Sequence, residues 1–343
     1  MLTTGINRLS AIRKKKAKPA ATYATAAQIR NYTSKHTVSS LHSTSPAGVT
    51  SLAVSSLHPT QFVTGGNDKI VQVYDQESSK VLATLKGHTK KINHVEWREK
   101  EGETRLVISG SADKTVRIWG HDAESEDYAP KHIVKTHKGE ISGVAIHPTS
   151  TILALSSLDK TYSVHNLSTL QSIFHSSVAT DLYTSLSIHP DGTLLALGTA
   201  HSTVHIYDIR AGALAVELAP VELPSTPFFV NTSSFSENGY HMAFPVTPST
   251  VSVWDLRKSK MVTSFALNGT DSEYKINKVR YDTSAQFLGV SGLDLRIFAN
   301  KSWEELVKFE GGGEVVDFAF AREAKDIWAA AGREVRIWAE KDQ

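Results

Sequence analysis

Seven short segments of alternating residues, each ending in a ring, recur along the chain at a nearly fixed interval. They read IVQVYD, TVRIWG, TYSVHN, TVHIYD, TVSVWD, DLRIFA and EVRIWA. Their rings are Tyr74, Trp119, His165, Tyr207, Trp254, Phe298 and Trp338, spaced 45, 46, 42, 47, 44 and 40 residues apart. Val116 and Ile118 fall on one side and Arg117 on the other, the period of two expected of a β-strand. Each unit also holds an earlier strand, such as NHVEW or TSLSIHP, and a middle one, such as LVISG or LLALGT. Four short strands cannot bury their apolar faces alone, so neighbouring units must stack. Seven units of roughly 44 residues ask for about 308, close to what the 343-residue chain offers.

The phasing is specific as well as periodic. In the second unit His88, Ser109, Asp113 and Trp119 fall where WD repeats place a buried hydrogen-bond chain running from Trp through Ser and His to Asp. A buried donor or acceptor left alone costs about 1–3 kcal/mol, which is why the four must find one another. The first unit approximates the set with His42, Thr64, Asp68 and Tyr74. The third keeps His137 and Asp159 but has Leu155 and His165 at the other two positions. Units four, five and seven put His201, Pro248 and Gly332 at the Asp position, and unit six reads one residue short near Gly292. The expectation is an all-β, seven-bladed WD-repeat β-propeller over residues 36–343, preceded by a basic, partly helical extension over 1–35. The last unit supplies three strands of its own, and an open strand edge invites aggregation. The segment His36 to Leu41 is the expected fourth strand, latching the end of the chain to its beginning.

Charge divides the chain unevenly. Residues 1–67 carry eight Lys or Arg and no carboxylate, whereas the rest has 29 basic and 35 acidic residues. There is no cysteine, so disulfides, thiolate metal sites and cysteine nucleophiles are excluded, a usage that fits a reducing compartment. No hydrophobic run approaches the roughly 18 residues of a membrane-spanning helix, and no membrane partner is expected.

Several stretches carry a closer likeness. LATLKGHTKKINHV (Leu82 to Val95), GGNDKIVQVYD, HPDGTLLALGT, SENGYHMA and VWDLRK resemble, in order and spacing, the C-terminal propeller of the pre-mRNA-processing factor 19 family, and the likeness extends to LTT, RKKKAKP and SLHSTSPAG. That family joins a U-box E3 ubiquitin ligase and a tetramerising coiled coil to a propeller that docks substrates and splicing partners. The resemblance therefore implies proteins of a spliceosome-activating complex as partners, a nuclear location, and in some members DNA-damage signalling. No U-box-like segment and no sustained heptad is present, so neither ligase activity nor tetramer formation is expected of these residues, and a monomeric propeller is.

Catalytic chemistry finds no purchase. The histidines form no HExxH pair, and the nearest two, His201 and His205, straddle a turn and a strand. The GGG at 311–313 lacks the GK[ST] of a phosphate loop, and there is no G-x-S-x-G elbow. No catalytic residue, metal or cofactor is expected. Three features suit binding. Lys69, Lys114 and Lys160 each follow an Asp at equivalent turns, and the neighbouring loops add Lys86, Lys90 and Lys138, a crescent suited to acidic peptides or phosphates. The opposing reading is six ordinary solvated turn lysines. Arg13 to Lys16 with Lys18 fits a nuclear import patch, a weak RNA contact or a solvated linker, and the acid-free composition also fits a mitochondrial leader. YDIR (Tyr207 to Arg210) and WDLR (Trp254 to Arg257) resemble boxes by which some WD proteins meet the cullin-4 adaptor through an Arg, here Arg210 and Arg257. A local Asp–Arg surface pair accounts for them more simply.

Overall fold

The computed structural model describes residues 9–11, 22–43, 45, 48–122, 124–125, 127–220, 226–267, 274–310 and 313–341. Its strands form seven four-stranded antiparallel sheets, the blades of a propeller. Blade one runs Val49–Val54, Gln61–Gly66, Ile70–Asp75 and Lys80–Lys86, from the centre outwards. Blade two runs Ile92–Arg98, Leu106–Ser111, Val116–His121 and Tyr128–Val134. Blades three to six repeat the order over 141–175, 183–218, 234–266 and 278–309.

Burial follows position in the blade. Middle strands are sandwiched by blades on both sides, so Leu106–Ser111, Ile152–Ser157 and Asp326–Ala331 are buried at every residue. That is why they read LVISGS, ILALSS and DIWAAA, with no charged residue past the first. Outer strands face solvent, as in Ser172–His175, exposed throughout. Blades meet face to face: Phe62 of blade one packs edge-on against Trp328 of blade seven at 5.2 Å. On its other side Val63 and Val73 join Trp97 and Trp119 of blade two. Gly110 sits where the next blade presses closest, since a Cβ there would lie 2.7 Å from a methyl of Val144.

The ring closes through the start of the chain. Tyr32–Ser39 pairs antiparallel with Glu334–Glu340, from Tyr32 opposite Glu340 to Ser39 opposite Glu334, completing the blade begun by Val315–Ala321 and Asp326–Ala331. The latch is the one expected, displaced toward the N-terminus: it begins four residues before His36 and ends at Ser39, where Ser40 turns into the left-handed region (φ 64°). What anchors the early start is a hydrogen bond from the Tyr32 hydroxyl to the Ala324 carbonyl, 2.8 Å. Just ahead, the helix Ala26–Arg30 is opened by a Thr25–Gln28 capping box. It buries Ile29 completely among Phe309, Phe318 and Trp338 of blades six and seven. Residues 24–32 are thus packed against the ring rather than leading up to it. The basic cluster Arg13 to Lys16 with Lys18 lies outside the described residues.

Candidate docking face

The blade-two tetrad is built from three different connections. Trp119 Nε1 donates to Ser109 Oγ at 3.0 Å, Ser109 Oγ meets His88 Nε2 at 2.9 Å, and His88 Nδ1 meets Asp113 at 2.8 Å. Burial lowers the His88 pKa more than the carboxylate raises it, so the ring is neutral near pH 7. One direction then satisfies every atom: the Trp N–H donates to Ser, the Ser O–H to Nε2, and Nδ1–H to the carboxylate. Asp113 also accepts the Thr89 N–H (2.9 Å), and with it the turn between the two middle strands is tied to the loop entering the blade. Those two loops therefore open on one face of the disc. Gly87 precedes His88 with φ +157°, and a Cβ there would lie 2.6 Å from an Arg117 nitrogen. Only glycine fits.

Blade one repeats the lower half: His42 meets Asp68 at 3.0 Å and Thr64 at 2.9 Å. Blade three departs from the sequence expectation. Leu155 supplies no hydroxyl, and its place is taken by Ser163, directly across the strand pair. Ser163 Oγ lies 2.8 Å from both His137 Nε2 and His165 Nε2. Blade five uses the same exchange, with Phe244 opposite Ser252 and Trp254 Nε1 donating to Ser252 Oγ at 2.9 Å. A serine two residues before the ring, in TYSVHN and TVSVWD, is the signal that would have found both.

The later blades keep ties of other kinds. Blade four inverts the pair, with Asp181 in the entering loop and His201 in the turn, 2.7 Å apart. Blade six is not short of its acid: Asp294 accepts from the Tyr274 hydroxyl at 2.7 Å and pairs with Arg296 at 3.0 Å. In blades five and seven the Pro248 and Gly332 carbonyls accept the N–H groups of Ile276 (2.8 Å) and Val49 (2.9 Å).

The candidate lysines emerge on the tetrad face. Lys69, Lys114 and Lys160 each occupy the left-handed position of their turn, with φ 70°, 73° and 69°. Lys69, Lys86, Lys90, Lys114 and Lys138 are exposed. Lys160 is half-buried, its Nζ donating to the Thr180 carbonyl at 2.9 Å. Arg210 and Arg257 lie at hairpin turns at the opposite ends of their strands. Arg257 grips Asp255 through two nitrogens, at 3.1 and 2.7 Å, and stacks 4.4 Å over the Tyr240 ring, whereas Arg210 stands 3.7 Å from Asp208. Among the described residues no three His, Asp or Glu side chains gather as a metal site, and no helix is long and apolar enough to cross a membrane.

Comparison with known proteins agrees with this geometry. The WD domain, G-beta repeat model matches residues 34–75, 79–120, 128–166 and 168–208. The pre-mRNA-processing factor 19 of Oryza sativa is 35% identical over 345 residues, covering 96% of this chain and 62% of that protein. The homolog 2 of Arabidopsis thaliana is 31% identical over 87% of this chain and 55% of its own length. The Bos taurus protein is 31% identical over 84% of this chain and 55% of its own. The chain thus spans little more than half the length of these curated relatives.

Proposed function

Because the chain belongs to the pre-mRNA-processing factor 19 family, we propose that it is the partner-docking propeller of a nuclear pre-mRNA splicing assembly. The observation that carries this reading is a 35% identity over 96% of the chain. The physical support is rigidity: a ring latched at both ends holds seven sets of loops in fixed relation, so several proteins can be held at once. Its role is binding, and the ligase chemistry of the wider family, with any part in DNA-damage signalling, belongs to assemblies in which this propeller presents substrates. The cullin-4 reading of Arg210 and Arg257 is the weaker one, since each arginine already pairs with the aspartate two residues before it, at 3.7 Å for Asp208 and 2.7 Å for Asp255.

Crosslinking mass spectrometry of the tagged chain in nuclear extract tests the proposal. Crosslinks should join the propeller to splicing proteins, and a set confined to another process, such as ribosome assembly, would refute it.

A further inference from the structure

We infer that the tetrad face of blades one to three is a cationic arc that takes an acidic, extended segment of a partner protein, an inference that rests on the docking reading. Its basis is how each Asp–Lys pair divides. Asp68, Asp113 and Asp159 turn inward, with side chains only 5%, 5% and 13% exposed, held at the loop interior by His42, His88 and His137. Their carboxylates also accept the backbone N–H groups of Ser43, Thr89 and Lys138. A residue in the left-handed conformation one step later points its side chain away, so the acid is consumed and the base is left at the surface.

Among the described residues no carboxylate lies within 4.0 Å of the Nζ of Lys69, Lys86, Lys90, Lys114 or Lys138. Glu140, in the loop entering blade three, is already engaged by Asn93 and Lys91. Across the ring the charges are mixed and largely paired, Glu310 with Lys308 and Glu334 with Arg336, and Lys275 and Arg333 are exposed beside them. The unpaired positive charge is thus concentrated on blades one to three, where it attracts an acidic chain.

A single-stranded nucleic acid fits less well. Such strands are held by aromatic rings on which bases stack, and among the described residues the large apolar side chains exposed at these loops are Leu158, at 36%, and Val178, at 70%, neither of which carries a ring.

Fluorescence anisotropy of the purified chain separates these cases, using a labelled Glu-rich peptide and an oligouridylate of equal charge. The peptide should bind more tightly, and should lose affinity by about tenfold between low and physiological salt. The combined K69E, K114E and K138E variant should lose at least about tenfold in peptide affinity, with an unchanged unfolding midpoint. The paired K258E and K260E control, on a different turn, should lose none. Unchanged peptide affinity in the triple variant, an equal loss in the control, or tighter binding of oligouridylate would each overturn the arc. If the triple variant keeps its crosslinks to splicing proteins while peptide affinity falls, the arc stands and serves a different partner. If those crosslinks are absent even in the unaltered chain, the docking reading fails independently.

Discussion

The carboxylate of Asp317, on the inner strand of blade seven, accepts the backbone N–H of Leu52, on the inner strand of blade one, at 3.0 Å. The same contact recurs around the channel: Ser51 Oγ accepts from Val95 N at 3.0 Å and Thr232 Oγ1 from Val279 N at 3.0 Å. Each joins one blade to the next, and Asp317 joins the last to the first. The ring is therefore closed twice, by the strand pair on its rim and by this carboxylate at its axis, where Arg280 and Lys278 of blade six also approach at 3.5 and 3.9 Å.

Replacing Asp317 with Ala leaves the Leu52 N–H without its acceptor and two cations facing a gap. Loss of about 1–3 kcal/mol is expected, read as a lower urea midpoint. Asp317→Asn keeps an acceptor and should lose less. Equal stability of the Ala variant and the parent would show that the axial contact closes nothing.

Ile29 is the anchor of the N-terminal segment. Its side chain is fully buried between blades six and seven, so Ile29→Ala should destabilise by about 2–5 kcal/mol. A chain beginning at residue 36 loses Ile29, the Tyr32 hydroxyl contact and four of the closing residues together, and should melt lower still in calorimetry. A truncated chain as stable as the parent would make the helix an ornament.

The relocated serines give a sharp comparison. Ser109→Ala, Ser163→Ala and Ser252→Ala each orphan a buried ring nitrogen and should cost a similar amount, about 1–3 kcal/mol, although only Ser109 stands at the usual repeat position. Denaturant midpoints that fell for Ser109→Ala alone would mean that blades three and five do not rely on the exchange.

Acid should loosen blade three. Burial, reinforced by the neighbouring imidazoles His137, His132 and His175, lowers the His165 pKa from 6.5 to about 4. As pH falls below 6.5 the unfolded chain takes up a proton that the folded ring refuses until about pH 4, so stability is complete above that window and drains away within it. His88 and His137 shift the same way and add to the slope. Chemical unfolding at pH 7 and pH 5 checks the sign, and His165→Gln should flatten the dependence. A stability that rose on acidification would contradict the burial argument.

Blade five should open first in hydrogen exchange. Its inner strand, Ser234–Phe235, has two residues where those of blades one to four have six or seven. The Tyr183–Tyr207, Trp254–Ser252 and Tyr274–Asp294 contacts give blades four, five and six polar ties of their own, so it is the short inner strand that sets blade five apart. Protection in blade five equal to that in blade two would remove the distinction.

What the amino-acid order settled alone was the count of blades, the direction of each strand's faces and the need for a closing strand from near residue 36. These are properties of spacing: a ring every 40 to 47 residues and an alternation of two are visible without knowing what touches what. The folded chain decided the partners. Leu155 and Ser163 lie eight positions apart yet face each other across two strands, so a hydroxyl missing at one position is restored at the other. Asp294 was displaced by a turn of different length, and Asp317 finds Leu52 only because the seventh blade returns to the first. Contacts of that kind depend on register and closure, which arise when separate units pack, and no local pattern encodes them.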